Sequence, residues 1–253
     1  MQASNLPRDN TNGVPAADSS AFLERELLWL CGASEVPMCF SALSRKFSLC
    51  VALAVTSVAF AQTAEPIRLP APQMDGGRPL MQVLKDRSSA RDFRPDKLPA
   101  QMLSNLLWAA FGVNRPDSGK RTAPSAMNWQ EMEIYVATAE GLYIYDATHN
   151  QLNPVSRDDL RAQTGTQAFV KDAPLNLVYV ADLAKTTGSG ADHDMFVAAD
   201  AGFIAQNVYL FCASERLATV VRGSIDREAL AKVLRLRPSQ RVILAQTIGY
   251  PKT

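Results

Sequence analysis

Asp194–Leu217 is the longest run of helical periodicity in the chain, and its apolar residues do not keep to one stripe. Phe196, Ala199, Phe203, Val208, Phe211 and Leu217 fall on more than one side. A surface helix needs an apolar arc only where it meets the core. One that is apolar on several sides needs two partners, so the rest of the chain must cover one face and a further surface the other. A second copy of the chain is the expected cover. Within this helix the adjacent amides Gln206 and Asn207 are costly to bury unless each finds a partner. They are expected to meet backbone or a neighbouring subunit rather than a ligand, and Cys212 to be a small core residue.

Around this helix the other elements interleave. Pro79–Lys85 reads as a short helix, and Pro99 opens a second that runs to Phe111 with Met102, Leu103, Leu106, Leu107 and Ala110 on one side. Glu131–Ala137 and Leu142–Tyr145 read as a hairpin, Leu175–Val180 as a buried strand, and Ala218–Val221 and Arg241–Ile248 as further strands. Helices are also expected over Arg157–Gln167 and Asp226–Leu234, with loops over Arg115–Asn128 and Lys185–Ala191. No strand is followed by a GxGxxG turn. The pattern is that of one α+β domain, a central sheet of four or five strands packed between helices.

The first 61 residues follow different rules. Arg45 and Lys46 precede the uncharged 14-residue run Phe47–Phe60, and Ala59-Phe60-Ala61 is a small-x-small site. That order is the one found in a secretory signal, and the run is shorter than the ~20 residues of a membrane span. The competing reading is a buried core segment. The expected organisation is therefore an upstream extension at 1–37, a signal peptide at 38–61, an extended Pro-rich arm at 62–78 and a globular domain at 79–253. Export to the periplasm or beyond is expected, with no membrane span left after cleavage. Only Cys212 follows the proposed cut, so the mature domain has no internal disulfide or zinc spacing. The formal charge of +1, with 26 basic against 25 acidic residues, gives no broad field for nucleic acid or acidic lipid.

No GxSxG, HExxH, Walker or kinase signature is present. The histidines, His149 and His193, are expected on the surface, leaving the chemistry to a bound cofactor. Two polar clusters stand out. Arg87-Ser88-Ser89-Ala90-Arg91-Asp92-Phe93 sets two guanidiniums and two hydroxyls where they can face one phosphate; the plainer reading is a solvated turn with Phe93 in the core. In Pro124-Ser125-Ala126-Met127-Asn128-Trp129-Gln130, the amides of Asn128 and Gln130 can read a heteroaromatic edge; the plainer reading is an ordinary Pro-Ser turn.

Taken in order, these clusters resemble the FMN-dependent nitroreductase family. Arg87, Ser89, Arg91 and Phe93 match its R-x-S-x-[RK]-x-F motif, and Pro124, Ser125, Asn128 and Gln130 its P-S-x-x-N-x-Q loop. Gly202, Gln206, Asn207, Leu210 and Ala213 match its central helix, Val221-Arg222-Gly223 its strand and Gly turn, and Gly249-Tyr250-Pro251-Lys252 its ending. The Arg121–Ala126 string is similar to the branch that holds oxidases of thiazole-forming peptide synthesis. The chain departs from many relatives at Glu131-Met132, where they carry Pro-Trp, and at Arg222. The resemblance implies a mixed or antiparallel sheet, a homodimer, and two FMN sites built from both subunits. Arg87, Ser88, Ser89 and Arg91, with Lys252, would hold phosphate. Asn128 and Gln130 would address the isoalloxazine, as would the main chain of Val221, Arg222 and Gly223. The implied reaction is ping-pong hydride transfer from NAD(P)H to a nitroaromatic, quinone or similar acceptor. A flavin oxidase or dehydrogenase acting on another small molecule, and a non-catalytic flavin-binding protein, are the alternatives.

Overall fold

The structure, a computed structural model, describes residues 65–252. The extension expected at 1–37, the signal peptide at 38–61 and the start of the arm lie outside the described residues. Strands β1 (Ile67–Arg68), β2 (Val113–Arg115), β3 (Lys120–Arg121), β4 (Met132–Thr138) and β5 (Gly141–Asp146) come first, followed by β6 (Gln151–Ser156), β7 (Leu175–Asp182), β8 (Ala218–Arg222) and β9 (Gln240–Gly249). The α-helices are α1 (Leu80–Asp86), α2 (Ala100–Phe111), α3 (Ala191–Ser214) and α4 (Arg227–Val233).

Seven strands form one sheet in the order β1-β6-β5-β4-β7-β9-β8, every pairing antiparallel, and β2 and β3 make a separate hairpin. The architecture is α+β, with more strands than the four or five expected. The additions are the ones that hydrophobicity does not announce: β6 is polar and contains Pro154, and β1 is two exposed residues of the arm.

Strand alternation divides the core. Ile134, Val136, Leu177, Tyr179 and Ala181 point to the layer of α2 and α3, whereas Tyr135, Ala137, Val178 and Val180 point to α4 through Leu230 and Leu234. All eight residues of β7 are buried because it is covered on both faces. Each fully buried Leu or Ile here contributes roughly 1.5–3 kcal/mol relative to exposure. Asp226 caps α4 by accepting from the Ala229 N–H at 3.0 Å.

Arg157–Gln167 is not the expected helix. Two 3₁₀ turns, Arg161–Thr164 and Ala168–Val170, flank Gly165, whose missing side chain makes room for the Arg222 guanidinium. The expected Arg115–Asn128 loop contains the β3 half of the small hairpin.

Candidate functional site at two stations along helix α3

Helix α3 buries one stripe, His193, Val197, Asp200, Ala201, Ile204, Ala205, Val208, Tyr209 and Cys212. Polar residues on such a stripe persist only where they are bonded. Two of them, Asp200 and Tyr209, organise the two polar clusters of the sequence.

At the first station, α1 ends at Asp86, and Arg87 adopts φ −57° and ψ 120°, turning the chain into an extended path. The Ala90 N–H donates to the Thr219 carbonyl at 3.0 Å, and the Arg94 N–H to that of Tyr250 at 2.9 Å. The Lys252 N–H donates to the Asp92 carbonyl at 3.3 Å, and Phe93 bridges to Pro251 while packing on Phe169. The segment is thereby laid against β8 and the Tyr250–Lys252 segment, with Lys252 level with Asp92. The Tyr209 hydroxyl joins Ser89 Oγ at 2.8 Å and accepts from the Val221 N–H at 3.0 Å, while the Arg87 guanidinium lies 5.3 Å from its ring centroid. Ser88, Ser89, Arg91 and Lys252 are exposed and Arg87 half-buried. Among the described residues, none of the three cations makes an ion pair. Unpaired cations, the Ser88 hydroxyl, the Tyr209-bonded Ser89 hydroxyl and the edge of β8 thus lie along one segment, which suits a phosphate.

The side chain of Arg222 takes no part. It is buried, and donates to Thr247 Oγ1 at 2.9 Å, the Thr164 carbonyl at 2.9 Å and Asn176 Oδ1 at 3.1 Å. Burial pushes its pKa down to about 10, so it is charged at neutral pH. Only its main chain, with that of Val221 and Gly223, is left for a ligand.

At the second station, Asp200 Oδ2 accepts from the Ala126 N–H at 2.8 Å and so pins the Pro124–Gln130 loop. Met127, Asn128 and Gln130 have φ of 50°, 57° and 48°. Left-handed conformations cost about 1 kcal/mol or more at a residue other than glycine, and least at Asn. Ser125 Oγ accepts from the Gln130 N–H at 2.9 Å. The Gln130 side chain accepts from Arg121 Nε at 2.9 Å and donates to Asn128 Oδ1 at 3.2 Å. Gln130 therefore braces the loop while Asn128 is exposed. A cavity of about 420 Å³ opens beside Gln130, where β4 and β5 part, lined among others by Arg121, Lys185, Arg235 and Arg237. It is remote from the Arg87 cluster.

Beneath the loop, Glu131 is fully buried. Burial pushes its carboxyl up to about 7; its own main-chain N–H and Lys185 work against the rise, and the neighbouring Asp200 adds to it. Burial raises Asp200 as well. His193 is buried too, against expectation: its ring packs at a tilt against Trp129, centroids 5.6 Å apart, and Nε2 lies 2.8 Å from Thr186 Oγ1. His149 is exposed and paired with Asp146.

The two stations are separate within one chain. Thr219 lies level with Ile248, Leu175 and then Thr138 across the sheet, whereas the loop enters β4 at Met132. Six strand residues are about 20 Å, and Asp200 and Tyr209 stand about 14 Å apart on their helix. The sequence motifs pointed to Arg87, Ser89 and Val221 but missed Tyr209, Asp200 and Glu131. The available signal was phase: Asp200 and Tyr209 keep step with Val197, Ile204 and Val208.

The Nitroreductase family model matches residues 84–250. A nitroreductase-family protein of Methanocaldococcus jannaschii is 30% identical over 169 residues, covering 62% of this chain and 85% of its own. The crystal structure of a nitroreductase-family protein from Ralstonia eutropha JMP134 is 44% identical at a TM-score of 0.72, over 76% of this chain and 92% of that one. The Escherichia coli microcin synthetase McbBCD complex shares the fold at a TM-score of 0.60 and 18% identity, over 83% of this chain and 85% of that one. The family match covers the Arg87–Arg91 segment, the Pro124–Gln130 loop and the helix that joins them, and the chain belongs to the nitroreductase family.

Proposed function

We propose that this protein is an FMN-dependent oxidoreductase working as a homodimer. It takes hydride from a reduced donor such as NAD(P)H and passes the electrons to a nitroaromatic, quinone or similar small acceptor in alternating half-reactions. The family generally consists of flavin-dependent NAD(P)H oxidoreductases. The observation that carries the reading is the convergence of Arg87, Ser89 and Val221 on Tyr209, with Arg91 and Lys252 exposed on the paired segments that follow. When bound, FMN supplies a ring that accepts and returns hydride. The chain's own task is to bind and orient. Arg87, Arg91 and Lys252 offer charge-assisted donors to the phosphate, Ser88 and Ser89 fill its remaining oxygens, and the main chain of Val221–Gly223 faces the ring.

Asn128 lies at the other station, so a complete site calls for the loop of a second subunit. The outer face of α3 supports that arrangement. Phe196 and Phe203 are 45% and 47% exposed there, and towards the C-terminal end of α3 the α1 residues Leu80 and Met81 are 61% and 76% exposed. Asn207 and Leu210 line an open recess of about 410 Å³ between the helices. Neither Gln206 nor Asn207 makes a side-chain hydrogen bond among the described residues, which leaves both amides available to a partner. Anaerobic addition of NADH or NADPH to the FMN-loaded protein should bleach the flavin absorbance, and an acceptor should restore it. A flavin that neither donor bleaches refutes the oxidoreductase reading. We also propose export with cleavage after Ala61; N-terminal sequencing of the exported protein should begin at Gln62, and a soluble species retaining Phe47–Phe60 refutes it.

A further inference from the structure

Two carboxyls meet under the Pro124–Gln130 loop where neither has a cationic partner. Glu131 is 0% and Asp200 2% exposed. The Glu131 main chain is fixed at the entrance to β4, its carbonyl accepting the Asp182 N–H at 2.9 Å, and its side chain lies against Asp200. Neither Glu131 oxygen has a partner in good hydrogen-bond geometry, and the one main-chain donor that acts on the carboxyl is the residue's own N–H. The surrounding charges are engaged elsewhere: Lys185 Nζ is 3.5 Å from Glu133, and the Asp182 carboxylate holds Arg237 at 2.7 Å and Ser239 at 2.9 Å. His193, two turns before Asp200 on α3, is bonded to Thr186.

An unpartnered buried carboxylate is strongly disfavoured, and two in contact more so. A proton between them turns repulsion into a charge-assisted O–H···O bond and supplies the donor that Glu131 lacks. We infer that Glu131 and Asp200 share one proton, and that this contact clamps the loop to α3 in the left-handed form that presents Asn128. Both are positioning residues, since Asp200 acts through its bond to the Ala126 N–H. The functional part of the inference rests on the flavin reading; the shared proton does not. Release of the proton by rising pH places two anions under the loop and loosens it.

The test is amide hydrogen exchange of the apo-protein at pH 5.5 and 8.5, expressed as protection factors for Ala126 and Gln130. In the wild type, protection should fall by about tenfold or more at the higher pH, the value corresponding to one unit of a shifted pKa. Glu131→Gln supplies an amide N–H to Asp200 at every pH, so its protection should stay constant. Asp200→Asn, which can still accept from Ala126 and donates to Glu131, should behave likewise and carries the test if the first variant does not fold. Flat protection in the wild type, or the same fall in the variants, overturns the shared proton. So does a wild-type profile that changes with the added cation, which would put an ion between the carboxyls. FMN affinity at the two pH values should weaken more in the wild type than in Glu131→Gln, with the ionisation of the phosphate itself common to both. If FMN fails to bind, the flavin reading falls while the exchange data still decide the proton.

Discussion

Removing the Arg87 guanidinium separates a phosphate site from a structural arginine. In the folded chain its contact is the face of Tyr209, at 5.3 Å. A partly exposed cation–π contact is worth about 0.5–1 kcal/mol. Arg87→Ala should therefore cost the apo-protein about that much stability and lower its melting temperature by only a few degrees. A charge-assisted hydrogen bond to phosphate is worth about 1.5–3 kcal/mol, so FMN affinity should fall by about tenfold to a hundredfold. Titration by flavin fluorescence quenching measures this directly. Riboflavin lacks the phosphate, and its affinity should hardly change in the same variant. Arg91→Lys keeps the charge and loses only the planar fork, so it should do less harm. Equal losses of FMN and riboflavin affinity in Arg87→Ala refute the assignment, because the arginine would then be shaping the pocket through Tyr209.

Gly165→Ala should destabilise the protein by about 3 kcal/mol, roughly 6–12 °C in melting temperature. Its new methyl would run into the Arg222 guanidinium, which Thr164, Asn176 and Thr247 hold in place; unchanged melting refutes the role given to that network. Cys212 is buried, and burial pushes its thiol well up, so a thiol reagent should leave it unlabelled until the protein is denatured. Glu131 has its pKa raised from 4.5 to about 7, so between those values the folded protein holds a proton that the unfolded chain has released. Its contribution is complete below about pH 4.5 and lost as pH rises to about 7. Thermal melts of the wild type should therefore show stability falling as pH rises through that range, and melts of Glu131→Gln should lack the fall.

Much of this fold is legible wherever apolar periodicity carries the information. Leu175–Val180 is apolar apart from Asn176 because β7 is covered on both faces, and the hairpin of β4 and β5 is announced by alternation around Ala139-Glu140-Gly141. Legibility fails where polar contacts carry the structure. In β6, Pro154 and Asn153 disguise a strand that pairs with β5 on one side and with only two residues of β1 on the other. Arg157–Gln167 has helical composition, but Thr164 and Gly165 serve the buried Arg222, and that tertiary contact overrides local preference. The same division runs through the site. Motif spacing selects Arg87, Ser89 and Val221, since their residue types suit phosphate and main-chain recognition. Tyr209 looks like one more aromatic on an apolar helix until the fold brings its hydroxyl between Ser89 and Val221. Glu131 stands out as a departure from relatives, but its partner Asp200 lies 69 positions away, and no local pattern joins them.

Helix α3 explains how one element can serve core and site without conflict and leave an exposed apolar side. Its buried stripe holds the sheet, and two polar residues on that stripe are retained only because each is bonded to a different loop. Asp200 fixes the loop before β4, and Tyr209 fixes the Arg87 segment against β8. Asp200 reaches the main chain of its loop, and Tyr209 reaches the Ser89 side chain and the β8 main chain, so both segments inherit the rigidity of a 24-residue helix that their own sequences could not provide. The opposite side keeps Phe196 and Phe203 exposed. On the proposed reading, docking a second α3 there sets the loop station of one subunit towards the phosphate station of the other. The same rigid helix then transmits register across the interface, and a charge placed at Phe203 would disturb subunit association and FMN affinity together while leaving both intrachain bonds of α3 in place.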